Sequence, residues 1–293
     1  MTGAVIRERA RAKVNLTLRV LGRRPDGYHE LDSLVAFADV GDDVVLRLGA
    51  PPHVVARGPF AAAIDGPNLV TAALQRLAEA EPRLVLGHVE LLKNLPVAAG
   101  LGGGSADAAA LLRAVRAANP TLAGAVDWPG IAARLGADVP VCLANEPAWM
   151  TGSGAGLAKA GPLPRMPAVL VNPRATVPPD KTRSVFRALA ASPLPPDPVE
   201  PVHQSPDLQS AEALVRFVSS RGNDLEAPAR AVMPVVGEVL AALTAVPGAL
   251  FTGLSGSGPT AFALFGDAAA ATAATARLAS RHPAWWIVAT TIG

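Results

Sequence analysis

Residues 95–112 read LPVAAGLGGGSADAAALL, a glycine-dense turn that runs straight into an apolar-periodic helix. Gly100, Gly102, Gly103 and Gly104 can take positive φ angles and let a ligand approach the backbone closely, which a Cβ would obstruct. Ser105 is the expected N-cap of the helix. Ala108, Leu111, Leu112 and Val115 then fall at i, i+3, i+4 and i+7 and form one buried face, with Arg113 and Arg116 directed elsewhere. The first turn of such a helix offers N–H groups and the positive end of its dipole to whatever lies in the glycine turn. The stretch therefore predicts a phosphate cradle for a nucleotide. A tight connection alone would need fewer glycines.

Two familiar glycine fingerprints fail on the letters. A Walker-type loop needs Lys and then Ser or Thr after its last glycine, and here Ser105 and Ala106 follow Gly104. The dinucleotide pattern G-x-G-x-x-G, begun at Gly100, needs glycine where Ser105 stands.

The chain has 293 residues, a length that favours about two domains. Half of the residues are hydrophobic, ample for packed cores, and the formal net charge is only +2, from 26 basic and 24 acidic residues. So balanced a charge does not point to nucleic acid. Aromatic residues are 4% of the chain, too few for the stacking platforms that single strands require. A small phosphorylated ligand fits better. The single cysteine, Cys142, lies in the apolar run VPVCLA and is expected to be a buried structural thiol. The N-terminus has no apolar core of a secretory signal, and no apolar run approaches the ~18 residues of a membrane span. A cytoplasmic protein is expected, with no membrane partner.

Residues 12–20 alternate. Ala12, Val14, Leu16, Leu18 and Val20 share one strand face, and Lys13, Asn15, Thr17 and Arg19 the other. Residues 24–27, RPDG, read as a turn, followed by strands over 28–38 and 44–48. Asn68 is a candidate cap for a helix to about residue 80, and residues 88–94 read as the strand that delivers the glycine loop. A short helix over 131–135 is stopped by Gly136, and Asp138 is expected in a loop entering an apolar strand over 139–143. GPLPRMP, at 161–167, marks a boundary, after which the pattern restarts with the strand AVLVN. The expected domains are 1–163 and 164–293. Residues 192–207, proline-rich and poor in apolar residues, should form an exposed excursion. Helices over 208–218, 227–246 and 267–280 and strands over 249–254, 261–265 and 285–291 suit a small α+β sandwich.

Three further segments, ARAKVNL at 10–16, GADVP at 136–140 and GLSGSGPTAF at 253–262, accompany the glycine loop. Together they make the chain resemble the galactokinase, homoserine kinase, mevalonate kinase and phosphomevalonate kinase (GHMP) superfamily. Within it the resemblance is closest to the 4-diphosphocytidyl-2-C-methyl-D-erythritol kinase family, whose DGYHEL segment is matched at residues 26–31. The match spans nearly the whole chain. It implies an α+β fold with a mixed α/β nucleotide-binding domain followed by a ferredoxin-like α+β sandwich. It also implies transfer of the γ-phosphoryl group of ATP, with Mg²⁺, to the 2-hydroxyl of a cytidine-diphosphate-linked methylerythritol in the non-mevalonate route to isoprenoid precursors.

By the same resemblance Lys13 and Asp138 are the catalytic pair: the carboxylate can accept the hydroxyl proton, and the ammonium keeps it ionised and polarises the hydroxyl. Asn15, on the strand face of Lys13, is placed to orient that hydroxyl. Tyr28 is expected to stack on the cytosine, His29 to hydrogen-bond it, and Phe186 to close its other side or to serve the core. ATP contacts are expected along Pro96, Val97, Ala98, Ala99, Gly100, Leu101, Gly102, Gly103, Gly104, Ser105 and Ala106. Asn68 is a candidate adenine contact as well as a cap, and Lys93 either reaches a phosphate or faces water. Ser255, Gly256, Ser257 and Gly258, with Thr260 following, form a second glycine turn, read both as a substrate-side loop and as a strand connection. Ala155 stands where the resemblance implies an acidic residue. No carboxylate cage for magnesium is visible. Lysine is scarce, only Lys13, Lys93, Lys159 and Lys181, so a position kept as lysine is one where a compact ammonium has a use. A related kinase of another alcohol and a non-catalytic nucleotide sensor stay open as alternatives, and either a monomer or a homodimer is compatible.

Overall fold

The computed structural model describes residues 4–66, 68–194 and 207–293. In chain order the elements are β1 (Val5–Asn15), β2 (Arg19–Arg23), β3 (His29–Arg47), β4 (His53–Arg57), α1 (Leu69–Ala80), β5 (His88–Leu92), α2 (Gly103–Ala118), α3 (Trp128–Leu135), α4 (Val139–Ala144), β6 (Ala148–Gly152) and β7 (Gly156–Lys159). They continue with β8 (Met166–Asn172), α5 (Lys181–Leu189), α6 (Ala211–Arg221), α7 (Glu226–Val232), α8 (Val235–Thr244), β9 (Ala249–Leu254), β10 (Ala261–Phe265), α9 (Ala268–Arg281) and β11 (Trp286–Ile292). Contacts divide the chain into two interleaved units. One holds the N-terminal segment through Lys13 with Val40–Val97 and Gly102–Asn145; the other holds Val14–Asp39, Ala98–Leu101 and the chain from Glu146 onward. The expected boundary at 161–167 lies inside the second unit.

In the first unit β5 pairs antiparallel with the C-terminal half of β3, Asp43 opposite Leu92 and Arg47 opposite His88, and parallel with β4. Helices α1 to α4 pack on one another. The core of α2 is the expected face, Ala108, Leu111, Leu112 and Val115, all fully buried. In place of strands over 28–38 and 44–48 there is one strand, β3, and Gly41 is what lets it continue. A Cβ there would lie 2.2 Å from the Ala10 carbonyl oxygen. The apolar run after Asp138 is the helix α4 and not a strand, with Pro140 in its first turn, where the missing N–H costs nothing. Cys142 is buried in α4 as expected, and burial pushes its thiol up to about 12.

In the second unit β8, β9, β10 and β11 form an antiparallel sheet in the order β11-β8-β10-β9. With α5 to α8 between its first two strands and α9 between its last two, this is the split β-α-β-β-α-β order of the expected ferredoxin-like sandwich. Val169, Val171, Ala261, Ala263 and Phe265 from the sheet pack against Val236, Val239, Leu240 and Leu243 of α8 and Ala271, Ala274 and Leu278 of α9. The helix expected over 227–246 breaks into α7 and α8 at Met233-Pro234. Proline lacks the N–H and pushes the preceding residue out of the α region, and Met233 accordingly sits at φ −135°, ψ 86°. The first half of β3 also belongs here, pairing with β2 and β6, and β6 with β7 forms a hairpin. Of the expected excursion over 192–207, residues 195–206 lie outside the described residues.

Candidate active site

Lys13 closes the first unit's share of β1, on a strand end buried on both faces. Its Nζ lies 3.2 Å from Asp138 Oδ1, the lysine side chain 5% exposed and the aspartate 36%. Asp138 precedes α4 but its carboxylate makes no cap bond. A purely structural turn aspartate would satisfy the helix; this one faces the ammonium and stays open to solvent. Gly102 lies against the pair. A Cβ at that position would come 3.2 Å from Lys13 Cε and 3.8 Å from Asp138 Oδ2, and its φ of +62° is one that side-chain-bearing residues rarely adopt. The start of the glycine-loop helix thus borders the ion pair with no side chain between.

Gly102, in the left-handed region, is the N-cap of α2, so Ser105 is not the cap but lies in the first turn. The first backbone bond of α2 runs from Ala106 N to Gly102 O at 2.8 Å, which leaves the N–H groups of Gly103, Gly104 and Ser105 ahead of the helical ladder. Gly104, Val97 and Ala98 are exposed, whereas Pro96, Ala99, Leu101 and Ala106 are buried and shape the loop by packing. Asn68 caps α1, its Oδ1 accepting from Val70 N at 2.9 Å.

Lys93 does not face water. It is buried, with Nζ 2.5 Å from Asp42 Oδ2 and 2.7 Å from Asp107 Oδ2. Asp42 Oδ1 in turn accepts from Asn94 N at 2.5 Å and Leu95 N at 2.7 Å, where the glycine loop begins. The ammonium lies below the cradle: a Cβ on Gly103 would be 3.1 Å from Lys93 Nζ. Burial drives the Asp107 carboxyl up to about 8, with Lys93 opposing and Asp42 reinforcing. Asp107 Oδ1 has no partner among the described residues. For Lys93, burial pulls down but the two carboxylates outweigh it and its pKa is raised. Replacing Lys93 with Met would leave the buried Asp42 and Asp107 without their shared cation. The expected loss is about 3–5 kcal/mol of stability, read by denaturant unfolding; a variant as stable as the parent would refute the supporting role.

In the second unit the turn between β9 and β10 serves as both the strand connection and a grip on the loop segment Ala98–Leu101. Ser255 Oγ accepts from Asn15 N at 3.2 Å and donates to Gly100 O at 2.9 Å, and Thr260 N donates to Ala99 O at 3.1 Å. Gly100, at φ +80°, fits because a Cβ would lie 2.6 Å from Ser255 O and 2.7 Å from Gly258 O. Asn15 is buried, its Nδ2 donating to Ser33 Oγ at 2.8 Å. Lys181, opening α5, donates from Nζ to Ala98 O at 3.1 Å and to Gly258 O. Its partners are carbonyls, and burial lowers its pKa to about 8. The sequence noted Lys181 only as one of four lysines and gave Asp42 no role. For Lys181 the usable signal was the scarcity of lysine: Lys13, Lys93 and Lys181 are buried, and Lys159 is exposed.

His29 and Phe186 come together, ring centroids 4.6 Å apart and planes at 27°. Burial, aided by the positive charge of Arg23, lowers the His29 pKa, so the imidazole is neutral near pH 7, with one donor and one acceptor. Tyr28 follows the Arg24–Gly27 turn and its ring stands open, 65% exposed. Ala155 is exposed in the β6–β7 turn. No three His, Cys, Asp or Glu side chains gather into a metal site among the described residues. Nor is any of their helices long and apolar enough to cross a membrane.

The model of the GHMP kinases N terminal domain matches residues 68–146, and that of the GHMP kinases C terminal domain residues 204–284. The chain is 49% identical to a 4-diphosphocytidyl-2-C-methyl-D-erythritol kinase of Rhodopseudomonas palustris, covering 96% of this chain and 95% of that one. It is 48% identical to the enzyme of the same name from Paracoccus denitrificans, covering 97% and 95%. A crystal structure of 4-(cytidine 5'-diphospho)-2C-methyl-D-erythritol kinase superposes with a TM-score of 0.78 at 34% identity over 98% and 99% of the two chains. A homoserine kinase from Cytophaga hutchinsonii shares the fold, with a TM-score of 0.66 at 20% identity over 98% and 95%. With the glycine cradle, the Lys13–Asp138 pair and full-length identity approaching one half, the chain belongs to the 4-diphosphocytidyl-2-C-methyl-D-erythritol kinase family of GHMP kinases.

Proposed function

We propose that this chain transfers the γ-phosphoryl group of ATP to the 2-hydroxyl of 4-diphosphocytidyl-2-C-methyl-D-erythritol. The observation that carries the reading is the Lys13–Asp138 pair, 3.2 Å apart and bordering Gly102 at the start of the cradle helix. The N–H groups of Gly103, Gly104 and Ser105 bind phosphate oxygens at the positive end of α2. The substrate hydroxyl gives its proton to Asp138, its oxygen bonds the γ-phosphorus, and the bond from that phosphorus to the β–γ bridging oxygen breaks to leave ADP. Lys13 holds the carboxylate in place and offsets negative charge spreading on the transferred group. Asn15 anchors the strand end, and Tyr28, His29 and Phe186 take the cytosine, a neutral imidazole being suited to hydrogen-bond a neutral base. Magnesium, when bound, would offset charge on the nucleotide phosphates; among the described residues no carboxylate cage is gathered for it. The water-soluble acceptor suits a cytoplasmic enzyme. Evolutionary domains over 1–163 and 164–293 accommodate both matched family models.

The test is ADP release with MgATP and, in separate reactions, the cytidine compound, homoserine, mevalonate or no acceptor. Turnover with the cytidine compound alone, with one new phosphomonoester resonance by phosphorus NMR, is the expected result. Turnover with another alcohol would overturn the acceptor, and ATP binding without turnover on any would favour a nucleotide sensor.

A further inference from the structure

One residue of the ATP loop adopts a backbone conformation that its side chain disfavours. Ala98 has φ +54°, in the left-handed region where Gly100 and Gly102 of the same loop also lie. Glycine reaches that region freely, but a Cβ makes it costly, so a non-glycine residue stays there only where its surroundings hold it. The holding contact is the Ala98 carbonyl, which accepts from Lys181 Nζ at 3.1 Å. The same ammonium donates to the Gly258 carbonyl in the turn between β9 and β10. That turn also grips the next residues, through Thr260 N to Ala99 O and Ser255 Oγ to Gly100 O.

Burying a lysine is expensive, and Lys181 is 6% exposed with two carbonyls as partners. A surface clamp would have been cheaper with arginine, which this chain uses nearly everywhere else. Two carbonyls converging on one point from different backbone segments suit a compact, multiply donating ammonium better than a planar guanidinium. Neighbouring Thr182 adds a second tie, its hydroxyl 3.1 Å from Ser257 Oγ. The helix that begins with this clamp carries Phe186, the residue stacked on His29, one turn further on.

We propose that Lys181 is a positioning residue for ATP binding: its ammonium pins the Ala98 carbonyl to the Gly258 carbonyl and so holds the loop in its phosphate-receiving conformation. The inference rests on reading residues 95–106 as the ATP loop. It assigns Lys181 no contact with either substrate. The clamp compensates for an alanine at a position where glycine would need none.

The experiment measures MgATP affinity by calorimetric titration of the full chain, with melting temperatures alongside, for the wild type, Lys181→Met, Ala98→Gly and the double variant. Lys181→Met is expected to weaken ATP binding about tenfold, in line with losing a charge-assisted hydrogen bond. Ala98→Gly alone sets the reference against which the double variant is read. In the double variant the loss should shrink to about threefold, because glycine holds the left-handed conformation unaided. A lysine serving only the packing of α5 would show no such rescue. If Lys181→Met does not fold, Lys181→Gln, which keeps one donor group, is measured in the same series. Wild-type affinity in the lysine variant, or an undiminished loss in the double variant, would overturn the proposal. A wild type that binds no ATP would remove the loop reading and this inference with it.

Discussion

Replacing Asp138 with Asn is expected to lower turnover by about 10²–10⁴-fold, the usual worth of a positioned proton acceptor. The amide is nearly isosteric and its oxygen can still accept from Lys13 across 3.2 Å, so the local geometry should survive. What the amide cannot do is take the proton from the acceptor hydroxyl. The loss should therefore fall on kcat, with KM for both substrates within a few-fold of the parent. The structure sharpens this expectation, because the Asp138 carboxylate caps no helix and has no turn duty whose loss would unfold the site. Steady-state kinetics with unchanged melting temperature would establish the assignment. Turnover within tenfold of the wild type would remove Asp138 from proton transfer.

Gly100→Ala should produce the second large effect, and by a different route. The added methyl would be driven to 2.6 Å from Ser255 O and 2.7 Å from Gly258 O, both backbone atoms, at a φ of +80°. Forcing alanine into the left-handed region costs about 1–2 kcal/mol, and overpacking a close contact about 1–3 more. Because the strain sits in the loop, it should appear as ATP affinity weakened by roughly tenfold or more, each factor of ten being about 1.4 kcal/mol. A melting temperature lower by several degrees should accompany it. An alanine variant that binds ATP like the parent would show that the loop has room the structure denies. The contrast with Ala98 is instructive. Residue 98 tolerates a methyl because its side chain is exposed and its carbonyl is clamped, whereas residue 100 faces two carbonyls at once.

Where local chemistry decides, the reading from the letters held well. The α2 core face, the Asn68 cap, the RPDG turn and the C-terminal strand and helix order all rest on short-range rules. It failed where tertiary contacts override propensity. The run after Asp138 is helical because a proline at its start suits a first turn as well as a strand entry. The strand β3 runs unbroken through Gly41-Asp42-Asp43, where the sequence predicts a gap between two strands. A neighbouring strand needs the space at Gly41, and Lys93 with the loop N–H groups occupies the Asp42 carboxylate. Ser105 lost the N-cap position to Gly102 because the left-handed glycine begins the helix earlier.

The amino-acid sequence by itself determined the presence of a glycine-rich turn opening a helix and the β-α-β-β-α-β order of the second half. Glycine content, apolar spacing and motif order are all written along the chain. Only the tertiary structure decided what each buried charge does. Lys13 meets Asp138 across 125 positions of sequence, Lys93 is locked between Asp42 and Asp107, and Lys181 closes on two carbonyls from separate segments. A lysine carries the same letter in all three settings. Its role is set by which oxygens folding brings within about 3 Å of it, because only there does an ammonium recover the free energy lost on leaving water.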